Sequence, residues 1–223
     1  MKKSDKKELT RVLSIPFLFL LAMWLIKLIE VQFDFSFVKF GVLPQKATGL
    51  KGILFSPFIH KDLTHLFNNS YPILILGGLL FSMYRKIALQ IFLLLFFISG
   101  FLLWIIGRPS FHIVASGIIY ALAGFLCISG MVRKDPRLAA ISLIVVFLYG
   151  SMIWGVLPTK EPVSWEGHLS GFIAGILVAF FYKNEGPKRK KYQWEIDEEL
   201  ESQDDNANNI KINYILKKEN PRS

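Results

Sequence analysis

The chain has a single cysteine, Cys127, set inside an apolar run, so it can build neither a disulfide scaffold nor a zinc ribbon. Charge is scarce through the middle: between residues 12 and 182 only 18 of 171 residues are Asp, Glu, Lys or Arg. No His-Glu-x-x-His pattern or acidic cluster completes a coordination shell, and no metal or cofactor is expected. No internal repeat is visible. What the chain has in abundance is apolar surface: 52% of its 223 residues are hydrophobic and 20 are Phe. That excludes intrinsic disorder and is too apolar for an ordinary soluble domain. The net charge of +9 sits where apolar segments end and forms no stripe interleaved with aromatics, so it points to membrane topology and not to nucleic acid.

Six apolar segments approach the roughly 18–22 residues that cross a bilayer as a helix. They run about Val12–Ile29, Leu66–Tyr84, Ala88–Ile106, Ala115–Val132, Leu138–Val156 and Gly167–Tyr182. The first follows four lysines but exceeds a signal-peptide core and lacks an Ala-x-Ala-like cleavage site, so a retained helix is expected. If the segments alternate, one side carries both termini and the second and fourth loops with 19 basic residues, against six on the other side; Lys27 lies within the first span. The positive-inside rule then puts both termini in the cytoplasm. The expected organisation is a basic N-terminal segment over residues 1–11, a membrane-embedded domain over 12–184 and a charged cytoplasmic tail over 185–223. The first outward loop, about Glu30 to Thr64, holds Phe33, Phe35, Phe37, Phe40 and Phe55 and suits a partly helical element at the interface. The basic start of the tail suits anionic lipid headgroups.

Ionisable groups at membrane depth are costly and usually functional. His60, His65, His112 and His168 all fall near outward ends of spans, which suggests one site. His65 and Asn69 are four residues apart and share a helix face, so they offer paired donors to one object; an interfacial helix start wetted by headgroup water would tolerate the same pair. Ser116-Gly117 opens the fourth span, where small-residue packing is the plain alternative to a nucleophile. His168 opens the sixth, and Gly167, Gly171 and Gly175 give that helix a smooth face on which a neighbour can sit closely. Gly117 and Gly124 supply a matching seam. If the seams meet, Ser116 and His168 come within proton-transfer reach. The Ser116 N–H, with the His65 and Asn69 side chains, could then hold an oxyanion.

His60-x4-His65-x3-Asn69, Ala115-Ser116-Gly117-Ile118-Ile119-Tyr120 with Gly124, and His168-x2-Gly171-x3-Gly175, in this order and on these helices, resemble the rhomboid intramembrane serine proteases from about Phe40 to Phe181. The resemblance implies an all-α, six-transmembrane-helix bundle and a Ser116–His168 dyad without an acidic third member. It also implies an oxyanion site from His65, Asn69 and the Ser116 amide, Tyr120 packed against His168, and His60 as a supporting loop residue. Residues of about Leu138 to Glu166 would gate the sideways entry of a substrate transmembrane segment. The implied substrates are single-span or other transmembrane proteins, and the implied setting is a bacterial inner membrane with the active site toward its outer side. Two positions depart from the family pattern. Val114 replaces the first glycine of Gly-x-Ser-Gly, and the family's Trp-Arg pair in the first outward loop has no clear counterpart. Two rival functions remain: a noncatalytic chaperone that holds transmembrane helices, and a small-solute transporter. The latter requires ionisable groups through the full depth of the membrane, whereas here they collect at one end.

Overall fold

The computed structural model describes residues 3–133, 164–186 and 193–208, together with residues 140, 143 and 157. The described residues form helices and turns without a strand: α1 (Lys3–Phe33), the one-turn α2 (Gly52–Phe55), α3 (Leu63–Met83), α4 (Ala88–Ile106), α5 (Ala115–Val132), α6 (Trp165–Phe181) and α7 (Gln193–Asn208). Four of them are long and apolar enough to cross a membrane: Glu8–Phe33 within α1, and α3, α4 and α5. At 17 residues α6 is a shorter apolar helix. The expected span Leu138–Val156 lies outside the described residues, apart from residues 140 and 143. Two compact units divide at residue 187, and α7 belongs to the second. Within it, Gln193 Nε2 donates to Asp197 Oδ1 at 3.0 Å, one helical turn on.

The core of the first unit forms around α5, which packs against α3, α4 and most extensively α6. Of its 18 residues only Met131 is exposed. A helix apolar on every side belongs at the centre of a bundle, whereas α1, α3 and α4 keep one apolar face exposed, with Leu25, Phe67, Leu93 and Phe97 among the outward side chains. Small residues set the close approaches. A Cβ at Gly77 would stand 2.9 Å from Pro16 Cγ, and one at Gly78 would stand 3.0 Å from Leu13 Cδ2, so α1 lies directly on α3. Polar side chains lock the same contacts: Trp24 Nε1 donates to Ser70 Oγ at 3.1 Å, and Tyr84 Oη and Ser129 Oγ share a buried 2.6 Å hydrogen bond between the C-terminal ends of α3 and α5.

The chain between α1 and α3 is built from short helical turns at Val38–Phe40, Ala47–Gly49, Gly52–Phe55 and Ser56–Phe58. Phe35, Phe37, Phe40 and Phe55 form a row of edge-on ring contacts with centroids 4.6, 5.8 and 6.1 Å apart. Phe35, Phe40 and Phe55 are exposed. Lys27 ties this segment to α1. Its Nζ donates to Glu30 Oε2 at 3.0 Å and to the carbonyls of His60 and Lys61 at 2.9 and 3.1 Å, while Glu30 Oε1 accepts the Phe37 N–H. Both side chains are buried. Breaking such a pair strands one charge, so Lys27→Ala is expected to cost about 3–5 kcal/mol. Thermal unfolding of the detergent-solubilised protein would register it as a lowered Tm.

Candidate active site

Three helix starts carry the expected site residues. At the first, Asp62 caps α3: its Oδ1 accepts the His65 N–H at 2.7 Å. That hydrogen bond to the ionised form holds the Asp62 carboxyl below its ordinary pKa. One turn further on, Asn69 is buried and its Nδ2 has no hydrogen-bond partner among the described residues. The His65 ring meets the His60 ring edge-on at 5.3 Å. Burial, reinforced by His65, pushes His60 down to about 3, so its imidazole is neutral at neutral pH. His60 Nδ1 lies 3.4 Å from the Phe58 carbonyl.

The second start is α5. No side chain caps it, and the N–H groups of a helix's first turn lack intrahelical partners. Val114 stands at the N-cap with φ −134°, a negative value open to β-branched residues. The position where the family pattern has glycine is therefore not one whose φ demands glycine in this chain. Val114 is buried, and its Cγ1 occupies the place a Cβ at Gly167 would take. With Gly117, Ile118, Gly167 and Ser56 it lines a small cavity between α4, α5 and α6.

The third start is α6, capped by Ser164, whose Oγ accepts the Gly167 N–H at 3.4 Å. The glycine seams meet here. A Cβ on Gly171 would collide with the Gly117 carbonyl oxygen, and one on Gly175 would stand 2.6 Å from the Ala121 carbonyl oxygen. A Cβ on Gly117 would in turn stand 3.1 Å from the Gly167 carbonyl oxygen, and one on Gly124 would meet Phe172. With backbone this close to backbone, Ser116 Oγ and His168 Nε2 lie 2.7 Å apart. Tyr120, one turn after Ser116 on α5, stacks on the His168 ring with centroids 4.2 Å apart and planes inclined by 14°.

His60 and His65 adjoin each other and His168 meets Ser116, but His112 is held in the chain between α4 and α5. There its Nδ1 lies 2.7 Å from Ser164 Oγ and its Nε2 2.9 Å from the Arg108 carbonyl. Three neighbours of the site, Arg108, Ser164 and Glu166, did not stand out in the sequence. Ser164 had a detectable signal, since a serine just ahead of an apolar helix with an acid in the first turn is an N-cap signature. Among the described residues no group of His, Cys, Asp or Glu side chains could hold a metal ion.

Residues 48–185 match the Rhomboid domain family model. The chain is also similar to the uncharacterized protein Rv1337 of Mycobacterium tuberculosis, with 32% identity over 181 residues that cover 77% of this chain and 75% of that one. It is 31% identical over 182 residues to the uncharacterized protein ML1171 of Mycobacterium leprae, covering 77% of this chain and 71% of that one. The family match spans more than half of the chain and falls on an all-helical bundle with membrane-spanning helices. The chain is thus an integral membrane protein and belongs to the rhomboid family, whose members are generally intramembrane serine proteases.

Proposed function

We propose that the protein is an intramembrane serine endopeptidase that hydrolyses peptide bonds in or beside transmembrane segments of other membrane proteins. The observation that carries this is the 2.7 Å contact between Ser116 Oγ and His168 Nε2, a nucleophile within reach of its base between two closely packed helices. Ser116 Oγ attacks the scissile carbonyl carbon as its proton passes to His168 Nε2. The tetrahedral intermediate collapses, the C–N bond breaks, and His168 returns the proton to the leaving amine. Water, deprotonated by the same imidazole, then releases the acyl group from Ser116. The stacked Tyr120 ring keeps the imidazole plane aimed at the hydroxyl through these transfers. No cofactor is required. The site lies at the outer side of a bacterial inner membrane with both termini cytoplasmic, and the substrate helix must unwind locally, because a hydrogen-bonded helix hides its carbonyls.

The oxyanion is held by the Ser116 N–H with His65 and Asn69. The buried, unpartnered Asn69 Nδ2 supports this, since such a donor is costly unless a ligand takes it. Asn69→Ala or His65→Ala is expected to lower kcat about a hundredfold, the loss of one oxyanion donor, with the protein still folded. A fluorophosphonate probe applied to the purified protein tests the function itself, because labelling at Ser116 requires an activated hydroxyl. Labelling together with cleavage of a transmembrane reporter supports the protease. A folded protein that neither labels nor cleaves overturns it in favour of a noncatalytic helix-binding role.

A further inference from the structure

Ser116 and His168 are 52 residues apart in sequence, and so are His112 and Ser164, the hydrogen-bonded pair four residues before them on each segment. The two pairs run in the same register with their chemistry exchanged: histidine then serine along one segment, serine then histidine along the other. His112 is buried and fixed by its backbone, which exchanges two hydrogen bonds with Val42 at 2.9 and 2.8 Å. Its ring roles are set by its partners. The Arg108 carbonyl at 2.9 Å can only accept, so Nε2, which also lies 3.3 Å from Ser110 Oγ, carries a proton, and in the neutral ring Nδ1 accepts from the Ser164 hydroxyl at 2.7 Å. The Ser164 oxygen keeps a lone pair for the Gly167 N–H, and its backbone carbonyl accepts the His168 N–H at 3.3 Å. His168 is thereby joined through one residue, Ser164, to the segment that leads into Ser116.

A second contact runs parallel to the first. Arg108 Nε lies 3.1 Å from Glu166 Oε1, and the Glu166 side chain is only 4% exposed. Glu166 stands in the first turn of α6, where the helix dipole favours a negative charge. A carboxylate this deeply placed must keep its partner, so Arg108 and Glu166 hold the segment between α4 and α5 against the first turn of α6.

We propose that Arg108, His112, Ser164 and Glu166 form a two-point clamp that positions His168 against Ser116, independently of the glycine seam below them. All four are positioning residues and none touches the reacting atoms. The proposal rests on the Ser116–His168 reading and deepens it. Its reason is geometric: a hydroxyl and an imidazole react only in a narrow range of separation and angle, and small displacements cost large factors in rate. Helix packing by glycines permits the approach, and the clamp fixes the start of α6 by two polar contacts of defined direction.

The test uses the full-length protein in detergent micelles, with reporter cleavage, fluorophosphonate labelling of Ser116 and thermal unfolding measured together. Ser164→Ala removes both the cap and the His112 hydrogen bond, Ser164→Thr restores both, and Glu166→Gln keeps a polar contact to Arg108 while removing the charge. The expected result is a loss of about 10- to 100-fold in kcat and labelling rate for Ser164→Ala, with KM little changed and recovery in Ser164→Thr. Glu166→Gln is expected to lose several-fold in kcat while remaining folded. Wild-type labelling rates in both Ser164→Ala and Glu166→Gln would overturn the clamp and leave the dyad standing. Losses that track Tm alone, without rescue by threonine, would also overturn it by making these residues merely structural. A wild-type protein that does not label at all would bring down the dyad and the clamp with it, an outcome distinct from the other two.

Discussion

Replacing Ser116 or His168 with alanine is expected to reduce cleavage of a transmembrane reporter by on the order of 10⁴-fold or more while leaving the Tm close to that of the unaltered protein. The two effects should not add. Ser116→Ala leaves the imidazole with no proton to take, and His168→Ala leaves a hydroxyl whose proton has nowhere to go, so either change alone removes the whole nucleophilic step. The double variant should therefore be about as slow as either single one. Fold is expected to survive because neither side chain belongs to the hydrophobic core cluster: the serine sits in the first turn of α5 and is half-buried, and the histidine, though buried, stands in the first turn of α6 with its ring on Tyr120. Cleavage assays on purified variants, with unfolding curves alongside, decide it. A variant that retains cleavage near the wild-type rate would remove Ser116 or His168 from the mechanism.

The second large effect is expected at Gly171. A Cβ there would collide with the backbone oxygen of Gly117, and backbone cannot swing aside as a side chain can, so Gly171→Ala must push α5 and α6 apart. Overpacking of this kind costs about 1–3 kcal/mol. The separation also acts on the adjoining turns, which carry Ser116 and His168, and a displacement of about 1 Å is enough to cost on the order of a hundredfold in rate. Gly78→Ala provides the comparison. Its Cβ would meet only the far end of the Leu13 side chain, at 3.0 Å, which can turn away, so activity is expected to stay within about twofold of the unaltered protein. Equal effects at Gly171 and Gly78 would show that the seam between α5 and α6 has no special bearing on the site. Labelling of Ser116 and the unfolding midpoint distinguish the outcomes.

The parts of this protein that could be foreseen from its sequence are those written as local spacing. Glycines every four residues in 167–175, answered by Gly117 and Gly124, foretell a close helix pair, and helices of the expected length occur at residues 63–83, 88–106 and 115–132. The first helix is longer than its apolar run because charged residues continue a helix as readily as apolar ones once it leaves the hydrocarbon, so α1 begins at Lys3 and ends at Phe33. The last apolar helix begins at Trp165, two residues earlier than expected, because Ser164 caps it. What spacing could not reveal is partnership across the chain. Lys27 looks like a stray charge in a span until Glu30 and two loop carbonyls surround it. His112 gives no sign in the sequence that Ser164, 52 residues on, is its partner. Pairings of this kind depend on how helices come together in three dimensions, and no local pattern encodes them.

Because α5 is enclosed by protein along nearly its entire length, acyl chains scarcely touch the helix that carries Ser116. Changes in bilayer thickness or fluidity press first on α1, α3, α4 and the C-terminal part of α6, where Leu177 and Phe180 are exposed. Only strain passed on by those neighbours reaches Ser116, so the bundle shelters its hydroxyl from the lipid composition around it.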